Sequence, residues 1–463
     1  MQLRDVEVEG RRVDVRIDGG VIGAIEPSSR RVDGGGAALL PGLHDHHVHL
    51  LATAAALDSV VAGPPQVRSR ADLVAALAAA DGWVRAVGYD ESVAGPLDRA
   101  AVDGLRADTP VRIQHRSGAL WTLNSAAVEA LGLDDAADAG TDLPEAVERD
   151  AAGRVTGRVW RGDDWLGDRM RAAGVHRSAP VLARVGTLLA RCGVTGVTDA
   201  TPTQSPATIG ALSAAHLTGA LPQRITLLAA DAERVPGRAW AVGPAKIVVA
   251  DHALPGLDEL TDRIRAARAQ DRAVAVHCVT HEALLLTLAA LDDVGVRPGD
   301  RVEHAAVAPP EAVRRLAAAG VAVVTQPSLP ALRGDEYLDG VDAADRPYLW
   351  PYRSLLDAGV RVGCSSDAPY GDPDPWAGVR AAVRRRTPSG RPIGAGERVT
   401  AAVALAGYLS APEHPGGPPR AVRPGQPADL VLLDAPLAEV LADPDASRVR
   451  ATLVGGQVVH GSA

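Results

Sequence analysis

The chain reads as an α/β protein: a (β/α)8 TIM barrel, a small β-sandwich domain formed by both termini, and an insertion after the first barrel strand. Three observations carry this expectation. Apolar strand-like runs alternate with Ala-, Leu- and Arg-rich helical stretches through the middle of the chain. Short strands of alternating polarity, broken by Gly-rich turns, occupy both ends. Side chains of metal-ligand type fall toward the C-terminal ends of the apolar runs, where barrel enzymes carry their chemistry.

The apolar runs are GLHDHHVHL (42–50), GVTGVTDAT (193–201), ITLLAA (225–230), KIVVA (246–250), AVAVHCV (273–279), RVEHAAV (301–307), VAVVTQP (321–327) and VRVGCSSDAP (360–369). Helical stretches such as DELTDRIRAARAQ and PPEAVRRLAAAG separate several of them. Continuous apolar strands between helices indicate a parallel sheet covered on both faces. Roughly 140 residues lie between the first two runs, too many for a structureless loop, so an inserted subdomain is expected there. VEVEG, RVDVRIDGG and VIGAIEP near the start, and ADLVLLDAP and ATLVGGQVVHG near the end, are strands with turns. The expected division is 1–40 and 414–463 for the two parts of the β-sandwich and 41–413 for the barrel, with its insertion at about 55–175.

Composition narrows the function classes. The 463 residues are 46% hydrophobic and carry a net charge of -9 with no basic stripe, which argues against a nucleic-acid binder. No apolar run reaches the length of a membrane helix. The N-terminus alternates polar and apolar residues and lacks the apolar core of a signal peptide, so a cytoplasmic location is expected. Cys192, Cys278 and Cys364 are widely spaced and read as small buried hydrophobes. The expected partner is a small-molecule substrate, with a homo-oligomer left open.

Arginine is abundant, yet the chain holds a single lysine, Lys246, and a single asparagine, Asn124. Arginine stays protonated, whereas lysine can lose its proton and act as a nucleophile. A lone lysine in an arginine-rich chain is therefore a candidate for chemistry, beside the plainer reading of one chance surface residue.

His47 and His49 are two apart, and residues i and i+2 of a strand share a face. Both imidazoles can then meet one cation. His44 and His46 have the same spacing, and the later pair is preferred because it lies nearer the strand's C-terminal end. His277 and His304 each sit in an apolar run, where a lone histidine is commonly a satisfied core residue. Two of them in successive runs strengthen a metal reading. Asp367, in GCSSDAP, follows the apolar part of the last run, as a turn carboxylate or as a ligand that takes a proton from water. Nitrogen and oxygen donors without thiolate suit one or two divalent cations, zinc first, with manganese, iron or cobalt as alternatives. His115, Trp121, Arg333 and Tyr370 are candidate substrate contacts, and Asp199 reads as a supporting residue.

PGLHDHHVHL resembles the P-G-x-x-D-x-H-x-H signature of the amidohydrolase superfamily. PVRIQHRSGALWTLNSAAVEALGL, GRVTGRVW, GVTGVTDA, KIVVAD, VAVHC, DRVEHA, GCSSDAPYGDPDPW and PGQPADLVLLD follow in the order of its family 3, the branch of N-substituted formamide deformylases. The resemblance implies His47 and His49 on a first metal and His277 and His304 on a second. It implies Lys246 carboxylated by CO2 as the bridge, and Asp367 as metal ligand and general base, then acid. It also implies a bridging hydroxide that attacks an amide, formamide or cyclic amide C–N bond. Alternatives are a mononuclear enzyme with uncarboxylated Lys246 and a non-catalytic binding protein that keeps the fold. The chain departs from the branch in its short segment after Lys246, where His252 intrudes. It departs again at Thr280-His281, where the branch has Gly-Asp, and at His44, where the branch has an aliphatic residue. These departures imply an atypical substrate pocket, with His281 among its candidate residues.

Overall fold

The computed structural model describes residues 1–28, 35–134, 143–175, 181–229, 240–251 and 253–462, so His252 and His176 lie outside the described residues. The chain divides into two compact units, one of Met1–Thr53 with Leu182–Ala463, the other Ala54–Val181.

The first unit carries two parallel sheets. In one the order is Trp240–Val242, Arg224–Leu227, Val194–Asp199, Leu43–Val48. In the other, Ala245–Val248, Val274–Cys278, Arg301–His304, Ala322–Thr325 and Val362–Cys364 pair in chain order. Backbone hydrogen bonds join the sheets at both margins. Lys246 N donates to Leu228 O (2.8 Å), while Asp367 N donates to His47 O (2.8 Å) and His49 N to Ala368 O (2.9 Å). Every residue of Leu43–Val48, Val194–Asp199 and Ala322–Thr325 is buried, as strands covered on both faces require.

Intervening helices follow from their own residues. Leu257–Ala269 buries Leu260, Ile264 and Ala267, one stripe at helical spacing. Thr280 caps His281–Val294 by accepting from Ala283 N. Pro310–Ala319 opens on proline and stops at Gly320, whose φ of 69° suits an αL cap. Each of the eight apolar runs contains a strand, and two runs reach left-handed backbone beyond it. The 301–307 run ends its strand at His304, where His304 and Ala305 turn to φ 74° and 47°. The 360–369 run ends its strand at Cys364, three residues before Asp367, which has φ 55°. Trp240–Val242 is a strand that the sequence reading did not anticipate, because three residues are too few to show a period.

The terminal segments form two antiparallel sheets. Gln2–Val8, Arg11–Asp18 and Val21–Pro27 make one. Gln457–Gly461, Val449–Val454, Leu430–Leu433 and Leu39–Pro41 make the other. Their inward residues share one apolar cluster, in which Leu3, Val15, Ile17 and Ile22 meet Leu39, Leu430, Leu432 and Leu453.

The second unit is built on a mixed sheet in the order Val147–Arg149, Val155–Trp160, Leu120–Leu123, Val111–His115, Val84–Tyr89, Val60–Val61. Asn124, just past the Leu120–Leu123 strand, is fully buried. Its side-chain oxygen accepts from Val111 N and Ala127 N (2.9 Å each), and its amide nitrogen donates to Arg106 O (2.9 Å) and Thr109 O (2.8 Å). No helix among the described residues is long and apolar enough to cross a membrane.

Candidate metal centre

Strand Leu43–Val48 sorts its histidines by face. His44 Nε2 lies 2.9 Å from Thr198 Oγ1, and His46 Nε2 lies 2.9 Å from Ser410 Oγ. These two are held by neighbouring elements, away from the cluster that gathers around His47. Asp45, on the His47 side, accepts from His47 N (3.1 Å), Ser366 N (3.0 Å) and Ser366 Oγ (2.5 Å). Burial pushes its carboxyl up to about 6, against those hydrogen bonds.

His47, His49 and Asp367 offer three ligand atoms that all lie within 4.8 Å of one another. Asp367 Oδ1 is 3.5 Å from His47 Nε2 and 3.3 Å from His49 Nε2. Lys246 Nζ is 3.4 Å from His47 Nε2. The His304 ring centre is 4.9 Å from that of His47, and the His277 ring centre is 4.5 Å from that of His304. All six predicted ligand-type residues therefore occupy one cluster. Val274–Cys278 carries His277, Arg301–His304 ends on His304, and Ala245–Val248 carries Lys246. The left-handed backbone at His304 and Asp367 is of the costly kind that clusters at functional sites. Gly371 accepts a close approach under this turn, since a Cβ there would run into Ser366 O.

The electrostatics favour neutral nitrogen donors. Burial, then the nearby Lys246, His49 and Arg301, holds His47 well below the usual imidazole range. Burial, then His277, His47 and Lys246, does the same for His304. Burial also lowers the Lys246 amine, while Glu303 and Asp367 oppose it. Bare imidazole lone pairs, a carboxylate and an amine whose proton affinity burial lowers are a chemically suitable donor set for divalent cations.

A layer of partners holds these donors. His47 Nδ1 lies 2.5 Å from Glu303 Oε2, and Arg301 Nε donates to Glu303 Oε1 (2.6 Å). His304 Nδ1 lies 2.8 Å from Gln326 Oε1, and His49 Nδ1 lies 3.2 Å from Thr201 Oγ1. Glu303, Arg301, Gln326 and Thr201 were not among the sequence candidates. One signal was available: Arg301 and Glu303 are charged residues two apart in an apolar run, so they share a face.

The amidohydrolase family pattern matches residues 30–460 of the chain. The chain belongs to the amidohydrolase family. It is accordingly an enzyme of carbon–nitrogen bonds outside peptides. This amidohydrolase is 26% identical to the N-substituted formamide deformylase of Arthrobacter pascens, over 92% of the chain and 88% of that relative. Its structure is similar to an uncharacterized metal-dependent hydrolase from Pyrococcus horikoshii OT3, with a TM-score of 0.71, 19% identity and 96% of each chain covered. It is also similar to one from Pyrococcus furiosus, with a TM-score of 0.69, 19% identity and coverage of 96% and 99%. The likeness makes this a TIM-barrel-type α/β fold.

The remaining sequence candidates stand as follows in the amidohydrolase. The Tyr370 ring packs edge-on to His49 at 5.9 Å, beside the cluster. His281 opens a helix after the His277 strand, and its Nε2 is buried without a hydrogen-bond partner. Arg333 pairs with Glu336 (3.1 Å) and lies over Tyr337. Asp199 accepts from Leu50 N, Thr201 N and Gln204, which supports the turns beside His49. His115 and Trp121 belong to the Ala54–Val181 unit. His115 contacts Ser117 and Glu91, while Trp121 is buried and donates to Asp163 (2.8 Å). The three cysteines are free and buried.

Proposed function

We propose that this amidohydrolase is a metal-dependent hydrolase that cleaves an amide, formamide or cyclic-amide C–N bond of a small molecule. The observation that carries the reading is the convergence of His47, His49, Lys246, His277, His304 and Asp367 from five strands and the segments that follow them. His47 and His49 would hold one cation, His277 and His304 a second, with Asp367 as a further ligand and Lys246 between them. Zinc is the first candidate, with manganese, iron or cobalt as alternatives. Bound cations would polarise the carbonyl and lower the pKa of water. Lys246 is suited to carboxylation: its neutral nitrogen adds to the carbon of CO2, forms an N–C bond and releases a proton. Asp367 would take a proton from attacking water and return it to the leaving nitrogen. Tyr370 and His281 are proposed substrate contacts.

The domain plan completes the proposal. The hydrogen bonds at both margins of the parallel sheets support a closed barrel. The shared cluster of the terminal sheets supports a β-sandwich from 1–40 and 414–463.

The deciding experiment loads the protein with zinc and screens N-substituted formamides, other N-acyl compounds and cyclic amides, with Asp367→Asn in parallel. The expected result is turnover in the wild type and a loss of about 10²–10⁴-fold in kcat for the variant. Equal turnover in both would remove Asp367 from proton transfer.

A second reading is favoured by one observation: His47, His49 and Asp367 alone make a complete three-donor set. A one-cation enzyme with a free Lys246 amine would use it. Metal analysis at one against two equivalents separates the two readings.

A further inference from the structure

Two of the clustered histidines have their proton positions dictated from outside the cluster. Glu303 is fully buried, and its two oxygens are divided between His47 Nδ1 (2.5 Å) and Arg301 Nε (2.6 Å). A carboxylate only accepts, so His47 Nδ1 carries the hydrogen and Nε2 keeps its lone pair. The same Nε2 faces Lys246 Nζ at 3.4 Å and Asp367 Oδ1 at 3.5 Å. Arg301 balances the carboxylate, and its Nη2 donates to His46 O (3.2 Å), which ties the pair to the His47 strand.

His304 is handled by a neutral group. Gln326 is fully buried; its Nε2 donates to Ser365 Oγ (2.9 Å) and Val324 O (3.4 Å). Val324 O can only accept, so the amide nitrogen must face it and Oε1 must face His304 Nδ1, at 2.8 Å. His304 therefore also donates from Nδ1 and keeps Nε2 bare.

We propose that Glu303, charge-balanced by Arg301, and Gln326 are positioning residues that lock His47 and His304 in the Nδ1–H tautomer, so that both present Nε2 to metal. Neither touches the reacting atoms. Partners of this kind set ring orientation and ligand basicity, and their loss commonly weakens metal binding 10–100-fold. The inference rests on the metal-hydrolase reading above.

The test uses Glu303→Gln and Gln326→Leu in the full chain. A glutamine at 303 must set an amide NH2 against either Arg301 Nε or His47 Nδ1, and the second choice moves the hydrogen of His47 onto Nε2. Leucine at 326 removes the acceptor from His304 without adding charge. Zinc dissociation constants come from competition with a chromophoric chelator, and melting temperatures from the metal-free proteins. The expected result is zinc binding weakened roughly 10–100-fold in each variant, with metal-free melting within a few degrees of wild type. A purely structural role would lower metal-free melting instead. If Glu303→Gln fails to fold, Gln326→Leu decides. Zinc affinity of Gln326→Leu within a factor of two of wild type overturns the inference, as does a loss matched by an equal fall in metal-free stability. Wild type that binds no zinc overturns the metal-hydrolase reading itself, and this inference with it.

Discussion

Lys246 is the only lysine in the chain, and its amine sits buried 3.4 Å from His47 Nε2. Burial lowers its affinity for a proton, because a low-dielectric site disfavours the charged form. Arginine at the same place would stay a cation. Lys246→Arg is therefore expected to keep the fold but to lose at least one equivalent of bound metal and most hydrolysis. Metal analysis of the purified variant checks this, and full metal content with full activity would end the bridging role. The sequence preferred His47/His49 over the equally spaced His44/His46 only on position along the strand. The structure sorts them through partners remote in sequence: Thr198 and Ser410 for one pair, Glu303 and Asp367 for the other.

Elements are held by a few buried polar residues whose donors and acceptors are fully spent. Asn124 is the clearest case. It caps the Ser125–Ala130 helix and also bridges Val111 N, Arg106 O and Thr109 O, so one side chain fixes helix, strand and loop. Aspartate could keep the cap but would turn a carboxylate toward two carbonyls. Asn124→Asp is expected to destabilise the Ala54–Val181 unit by roughly 2–4 kcal/mol, from lost hydrogen bonds and buried groups left unmade. Urea unfolding followed by tryptophan fluorescence measures it, and a change within experimental scatter would refute the account. Arg272 does similar work between the two parallel sheets: it donates to Ala229 O (2.8 Å) and Gly243 O (3.0 Å) from the start of the Val274–Cys278 strand. Helix and strand types were legible in the sequence through their periods. Strand ends were not: the Arg301–His304 strand stops where His304 and Ala305 turn left-handed, which no period announces.

The proposed ligands span the chain from His47 to Asp367. A cation that binds only the folded arrangement stabilises it by mass action, about 2.7 kcal/mol at a free concentration 100 times its dissociation constant. Stripping metal with a chelator is expected to lower the melting temperature by a few degrees, and added zinc should restore it. Differential scanning calorimetry tests this; identical melting with and without chelator would argue against a metal bound by these residues.

What the sequence determined by itself was local. Continuous apolar strands between amphipathic helices imply a covered parallel sheet, and the chemistry of His, Lys and Asp at strand ends implies a cation site. These follow from a residue's own type and from neighbours a few positions away. The folded structure added what orients those histidines: Glu303 for His47 and Gln326 for His304. Glu303 and His47 are 256 residues apart and meet at 2.5 Å. Such pairs exist only once parallel strands lie side by side, because hydrogen-bond range is a few ångströms and no local pattern records which distant side chains fall within it.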